Sequence, residues 1–263
     1  YAEGPKNVFP TAPTEMSFAV SLDLGAYEYA GSGLATLFGQ PSNLLRPSHW
    51  RLIADTFRFF REARELDLSA DGGLTLGQYL ATAGYSEAFA VRHILPMAAA
   101  IWSTPSKAVL NFPVAAFVRF FANHGLLQIK DRPEWRTVVG GSREYVQRML
   151  AAFQGEVFLG EPAMRIVRSN GGVTVTTAKG DRRFDTCVVA THAGDALRLL
   201  ADSDTDERAL LGAFRYAPNR AVLHSDTALM PFRRRLWSSW NYLGAGHGID
   251  ASLSVTYWMN NLQ

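Results

Sequence analysis

The run Phe184-Asp185-Thr186-Cys187-Val188-Val189-Ala190-Thr191-His192-Ala193 constrains this chain more than any other stretch. Cys187–Ala190 is apolar without alternation, the pattern of a strand covered on both faces. It breaks at Thr191-His192, and Ala193–Leu200 then carries apolar residues at helical spacing. The carboxyl end of a buried strand, opening into a helix N-terminus, is where open α/β sheets hold ligands. Alone, the run reads as a core strand. The residues upstream give it a further meaning.

Val138-Val139-Gly140-Gly141-Ser142 leads into a predicted helix, Arg143–Phe153, which Ser142 can cap and whose Tyr145, Val146, Met149, Leu150 and Phe153 share a face. Val157-Phe158-Leu159 reads as a short strand turned by Gly160-Glu161-Pro162. Met164–Arg168 and Val173–Thr177 flank Ser169-Asn170-Gly171-Gly172, a hairpin turn rich in residues that tolerate positive φ. This order of Gly-Gly-Ser, helix, Leu159-Gly160-Glu161-Pro162-Ala163, hairpin and strand resembles the flavin-containing amine oxidase superfamily, which includes monoamine oxidases, protoporphyrinogen oxidases and carotenoid desaturases. The resemblance implies that the segment belongs to an FAD-binding domain. It places the Ala163 backbone against the adenine side of FAD and the strand end Ala190-Thr191 near the cofactor. The family usually has valine where this chain has Ala163, a change that a backbone contact survives.

Within the superfamily the chain is similar to a bacterial subgroup of NAD/FAD-binding, amine-oxidase-like proteins. The matching stretches are Thr14–Leu22, His93–Pro105, Phe121–Ile129, Arg132–Ser142, Tyr216–Asp226, Trp237–Leu243 and Val255–Gln263. Together they cover nearly the whole chain.

The fold class expected is α+β: part of an α/β FAD-binding domain joined to a substrate domain of antiparallel sheet and helices. By the superfamily's architecture, residues 1–135 form the first part of the substrate domain, 136–201 part of the FAD-binding domain, and 202–263 the antiparallel sheet of the substrate domain. The superfamily opens on a strand, a GxGxxG turn and a helix. The nearest imitation here, Gly244-Ala245-Gly246-His247-Gly248, has the wrong last spacing and reads as a hairpin loop. The superfamily's C-terminal segment, which closes over the flavin, is likewise not found after Gln263. The expectation is an internal fragment of a longer flavoprotein, inactive and weak in FAD binding by itself.

Within the substrate domain, Met16–Leu22 and Ala26–Ala30 read as a hairpin across Asp23-Leu24-Gly25. Pro47 starts a helix over about His49–Leu66, with Trp50, Ile53, Phe57 and Phe60 on one face. A basic amphipathic helix with a tryptophan suits a membrane surface. Packing of that face on its own domain is preferred, because acids punctuate the polar face. Leu68–Gly73 is a loop, and Leu76–Thr82 and Val114–Asn123 are further helices. Arg92–Trp102 is apolar nearly all round, and Met97 and Trp102 are singled out as lining of a substrate pocket. Arg220–His224, Leu236–Tyr242 and Ser252–Met259 read as strands, from which Trp240 and Tyr257 join the pocket candidates because alternate side chains face one way.

Composition narrows the function. The chain has 263 residues, 48% hydrophobic and 19% charged, which describes a globular protein with a sizeable core. A formal charge of +2, with arginines scattered among acids and only Arg233-Arg234-Arg235 as a basic run, gives nucleic-acid binding little support. A lone cysteine, Cys187, excludes a disulfide framework. The longest apolar run, Ile94–Trp102, falls short of the roughly 20 residues that cross a bilayer. A cytoplasmic protein is expected, with a peripheral position at the inner membrane face as the alternative. The six histidines never pair at metal-ligand spacing, and neither CxxC nor GxSxG occurs. His192 is either a proton acceptor near the cofactor or a satisfied polar group at a helix start, the second preferred.

The leading expectation is an FAD-dependent oxidoreductase that passes a hydride from a small-molecule substrate to flavin. Flavin carries the hard chemistry, so no catalytic side chain need stand out, and none is assigned. Aromatic richness favours an apolar substrate. The alternative from another class is a non-catalytic lipid- or partner-binding module that retains the substrate domain. An NAD(P)-dependent reductase is a weaker rival, since it needs a second dinucleotide site that the sequence does not show.

Overall fold

The computed structural model describes residues 9–66, 73–128, 133–216, 218–245 and 252–262. The loops expected at 68–72 and 246–248 lie outside them. In chain order the strands are β1 (Thr11–Pro13), β2 (Phe18–Leu22), β3 (Tyr27–Ala30), β4 (Arg136–Val138), β5 (Arg165–Ser169), β6 (Gly172–Thr177), β7 (Gly180–Phe184), β8 (Trp240–Ala245) and β9 (Ser252–Tyr257). The helices are α1 (Leu34–Leu37), α2 (Pro47–Glu65), α3 (Leu76–Thr82), α4 (Glu87–Phe89), α5 (Leu95–Trp102), α6 (Ser106–Val109), α7 (Val114–Asn123), α8 (Arg143–Ala152), α9 (Ala193–Leu199), α10 (Thr205–Gly212) and α11 (Met259–Leu262). Helices and antiparallel and mixed sheets together make this an α+β fold. The chain forms two compact units, residues 1–151 with 221–263, and residues 152–220.

In the first unit the sheet order is β3-β2-β8-β9. The hairpin β2–β3 is the one expected from sequence, with Leu22 opposite Tyr27. Its turn holds Asp23, Leu24 and Gly25 at positive φ, and a Cβ on Gly25 would stand 2.9 Å from Phe232 Cβ. Glycine there meets both a backbone and a packing demand. β2 pairs in parallel with β8, Phe18 opposite Trp240, and β8 pairs antiparallel with β9. The expected strand Leu236–Tyr242 therefore begins only at Trp240, because Arg234–Leu236 closes into a 3₁₀ turn whose Leu236 packs with Ala19 and Ala30.

One face of this sheet, Phe18, Val20, Tyr27, Tyr29 and Tyr242, packs with Leu52 of α2 and with Ala99 and Ala100 of α5. The small residues of α5 let the helix approach the sheet, as its composition implies. A second core lies among the helices: Phe59 is fully buried and its ring meets Tyr79, Tyr85, Phe89 and Phe117. Phe117 and Phe121 stack with centroids 4.2 Å apart. α4 and α5 are joined through a π-helical turn, Ala90–Ile94, which carries His93 into the interior.

α2 corrects the sequence reading of its faces. Its buried residues are His49, Leu52, Asp55, Phe59 and Ala63, whereas Trp50 and Phe57 are each about half exposed. The buried stripe is thus centred on Leu52 and Phe59, with Ile53 and Phe60 of the expected face packed at its edge and Trp50 and Phe57 turned outward. It accommodates a carboxylate because Asp55 takes hydrogen bonds from the Ser86 amide and Arg51, each at 3.0 Å.

The second unit contains the meander β5-β6-β7, as the hairpin signal predicts, with Ser169 opposite Gly172 around Asn170-Gly171. Leu200 bridges Ile166 in parallel, and Arg168 ties β5 to α10 through Asp202 and Glu207. Three expected strands are not strands. Val157–Leu159, Cys187–Ala190 and Arg220–His224 are irregular, with Leu159, Val188 and Leu223 86%, 90% and 93% exposed. An apolar run becomes a strand only where a neighbour completes its ladder, and none pairs with these runs among the described residues. α8, which belongs to the first unit except for Ala152, starts at Arg143 as expected and ends one residue before the expected Phe153, and none of its residues is buried.

Candidate functional site

Each unit carries candidate residues. In the second, Glu161 organises the turn that bears Ala163. Its side chain is 2% exposed and accepts hydrogen bonds from the Thr177 hydroxyl and from Arg182, each at 2.7 Å, with Lys179 Nζ at 3.2 Å. These partners, the Thr177 hydroxyl first, hold its carboxyl at about 2, far below the ordinary range. Arg182 also lies over the Phe158 ring, 4.0 Å from its centroid. The turn is therefore pinned from both sides to the β6–β7 hairpin. Ala163 follows it on an exposed backbone, one residue before the Met164 amide donates to the Thr176 carbonyl.

Ala190 and Thr191 are exposed at the end of the extended run before α9. His192 is the N-cap residue, but its side chain makes no capping bond. The Ala193 amide instead donates to the Tyr216 hydroxyl at 3.0 Å, and the Tyr216 ring stacks on His192 at 4.4 Å and 9°. Tyr216 thus satisfies a donor at the start of α9 and covers the His192 ring. A chemically featureless tyrosine in a loop gave no signal for that role.

In the first unit, α5 is the element shared by the pocket candidates. Trp240 and Tyr257 are paired directly across β8 and β9, with rings edge-to-face at 6.0 Å. The Tyr257 hydroxyl donates to the Ala100 carbonyl at 3.0 Å, one of the carbonyls left open at the end of α5. Ser103, in left-handed conformation, ends that helix and stands 3.5 Å from the same hydroxyl. Met97 is half-buried and packs against both cores. Trp102 turns among Phe112, Phe117, Phe120 and Phe121 at 4.9 to 6.3 Å. Trp240, Tyr257 and the end of α5 come together, while the Trp102 ring belongs to the helical core.

Two polar clusters escaped the sequence reading. Glu28, fully buried on β3, accepts from the Ser21 hydroxyl, from the Phe232 and Arg233 amides, and from the Arg233 guanidinium at 2.7 Å. On the helix-facing side, His49 donates from Nε2 to the Leu37 carbonyl (3.1 Å), so its Nδ1 accepts from the Tyr27 hydroxyl at 2.7 Å. The available signal was the alternation Tyr27-Glu28-Tyr29, two tyrosines on one sheet face and a carboxylate on the other.

The family model that matches this chain spans residues 23–259 and describes flavin-containing amine oxidoreductases. The chain belongs to that family. The cofactor of a flavin-containing amine oxidoreductase is a flavin. Among solved structures, a putrescine oxidase redesigned in cofactor binding matches at 15% identity, covering 77% of this chain and 47% of that one, with a TM-score of 0.54. Wild-type putrescine oxidase bound to putrescine matches at 17% identity over 77% and 47%, TM-score 0.51. A fatty acid isomerase from P. acnes, described as producing CLA, matches at 18% identity over 76% and 46%, TM-score 0.48. The chain spans about half the length of these structures. No curated protein matches it.

A flavin nucleotide held by backbone needs accessible peptide groups flanked by small side chains. Ala163, Ala190 and Thr191 are exposed, and Thr186–Ala190 enters no strand ladder among the described residues, so its peptide groups are open to a ligand. These residues fit the cofactor of the family.

Proposed function

We propose that this chain is part of an FAD-dependent oxidoreductase that oxidises an apolar small molecule. Bound FAD supplies the hydride acceptor. Ala163 offers its backbone to the adenine side, and Glu161 fixes the turn that presents it. Ala190 and Thr191 border the cofactor, and Tyr216 holds the helix start beside them. Met97, Trp240 and Tyr257 wall the substrate pocket and exclude water, and Trp102 backs that wall from the helical core. The Tyr257–Ala100 hydrogen bond, which ties the sheet to the end of α5, sets the position of that wall. The observation that carries the reading is the family match over residues 23–259.

In this reading residues 136–201 contribute to the FAD-binding domain, while 1–135 and 202–263 form the substrate domain. The chain is a piece of the active enzyme and turns over no substrate by itself. Its span of about half its structural neighbours supports this, as do the apolar runs Val157–Leu159 and Cys187–Ala190, which are largely exposed. The enzyme acts in the cytoplasm.

The test is anaerobic mixing of the protein from the whole reading frame with apolar amines, fatty acids and isoprenoids. Bleaching of a stoichiometric flavin by an apolar compound is expected. Tight binding of such a compound by a flavin-free protein would instead establish a binding module.

A further inference from the structure

The Tyr29 hydroxyl bonds to a carbonyl that a proline has left open. The helix runs without a break from α4 into α5 through the π-helical turn Ala90–Ile94, where the Leu95 amide reaches back to the Ala90 carbonyl. In an α-helix the Arg92 carbonyl would receive the amide of residue 96, but Pro96, buried in the first turn of α5, has none. A proline ring also crowds the carbonyl four residues before it, and the wider π-helical turn gives it room. The Arg92 carbonyl instead accepts the Tyr29 hydroxyl at 2.8 Å.

The far end of α5 is held in the same way. The Ala100 carbonyl, one of those left open where α5 ends, accepts the Tyr257 hydroxyl at 3.0 Å. Tyr29 stands on β3 and Tyr257 on β9, the two outer strands of the order β3-β2-β8-β9. A helix rises about 12 Å from residue 92 to residue 100, and a sheet of this order spans about 14 Å from its first strand to its last. The lengths match, so the helix crosses the sheet from edge to edge with a tyrosine hydroxyl at each end. Between them Ala99 and Ala100 share one core with Val20, Tyr29 and Tyr242. Alanines bring the helix close but have no long side chain to lock its tilt. The two hydroxyls lock it.

We infer that Tyr29 is a positioning residue for substrate selection: with Tyr257 it fixes the spacing of α5 from the sheet, and through α5 it sets the width of the pocket walled by Met97, Trp240 and Tyr257. The inference rests on the pocket proposed above and adds to it a residue on the opposite edge of the sheet. Met97 is the link, since it lies on α5 between the two hydroxyl contacts and packs against both cores. Tyr29 is fully buried, so it acts through the helix.

The test takes the protein from the whole reading frame and two apolar amines of different girth, n-octylamine and 1-adamantylamine, with dissociation constants read by calorimetry. Tyr29→Phe removes the hydroxyl and keeps the ring. It should favour 1-adamantylamine over n-octylamine by roughly fivefold more than before, the population shift that one hydrogen bond can hold back. The same substitution takes a partner from His93 Nδ1, 2.9 Å away, so a second variant separates the two effects. Pro96→Ala leaves Tyr29 and His93 in place and supplies an amide that competes for the Arg92 carbonyl. It should shift the ratio in the same direction. Tyr85→Phe, which deletes a hydroxyl bonded to Glu62 of α2 at 2.7 Å, should leave the ratio unchanged. Circular dichroism confirms that each variant keeps its fold. An unchanged ratio in a protein that binds both amines would overturn the inference and leave the pocket standing. A shift in Tyr29→Phe alone would overturn it as well, since His93 would then be the cause. So would an equal shift in Tyr85→Phe, which would mark general loosening. Binding of neither amine by the unsubstituted protein would strike the pocket itself, and this inference with it.

Discussion

Tyr29 and His93 meet in the interior of the first unit: the Tyr29 hydroxyl donates to the Arg92 carbonyl at 2.8 Å and stands 2.9 Å from His93 Nδ1. With its proton committed to that carbonyl, the hydroxyl accepts from His93 Nδ1–H, and His93 Nε2 is left buried as an unpaired acceptor. Burial pushes the imidazole down from its ordinary value near 6.5 to about 4. The unfolded chain therefore binds more protons than the folded one between those values. Stability from this group is complete above pH 6.5 and falls as pH drops toward 4, by on the order of 3 kcal/mol. Denaturant melts across that window should show the slope, and His93→Phe should remove its share. A flat profile would mean that the imidazole does not stay buried.

Glu28 ties the β2–β3 hairpin to the Phe232-Arg233 segment through four hydrogen-bond donors. Glu28→Ala strands those donors and the Arg233 charge, and should cost about 3–5 kcal/mol in chemical denaturation. Glu28→Gln keeps the shape and one acceptor and should cost less. Equal losses would show that shape rather than charge matters at this position.

Thr177 and Arg182 hold Glu161, so Glu161→Ala should speed amide exchange in residues 160–164 while leaving the helical core of the first unit unchanged. Because the folded carboxyl sits at about 2, protection of that turn should be full above the ordinary glutamate value and be lost only as pH falls toward 2. In the flavin-loaded enzyme the same substitution should weaken FAD binding. Unchanged exchange would remove Glu161 from the positioning of Ala163.

Tyr257→Phe deletes the hydrogen bond to the Ala100 carbonyl and keeps the Trp240 contact; a loss of about 0.5–1.5 kcal/mol is expected. Tyr257→Ala also opens the proposed pocket wall and should raise KM for an apolar substrate more than it lowers kcat. The reverse pattern would move Tyr257 from the wall to the reaction itself.

What was legible in the sequence depended on whether the deciding forces were local. The β2–β3 hairpin, α3, α7 and the β5–β6 turn carry their signals in adjacent residues, and they stand where periodicity and turn chemistry put them. The runs at 157–159, 187–190 and 220–224 carry strand composition, but a strand also needs a neighbour, and composition cannot supply one. The buried stripe of α2 lies to one side of the expected face, keeping Ile53 and Phe60 at its edge, because Trp50 and Phe57 outweigh Leu52 in bulk, while the burial of Asp55 depends on Ser86, thirty-one residues away. The pairing of Trp240 with Tyr257 was within reach of alternation. The clamp at Glu28 was not, since it joins residues about two hundred positions apart.

The central claim is that this chain serves an FAD enzyme, and flavin content tests it most directly. The protein from the whole reading frame should be isolated, its flavin released by denaturation, identified by mass and counted against polypeptide. One FAD per polypeptide, reduced in parallel with loss of an apolar substrate, is the predicted result. A folded protein that neither retains nor takes up FAD would contradict the account.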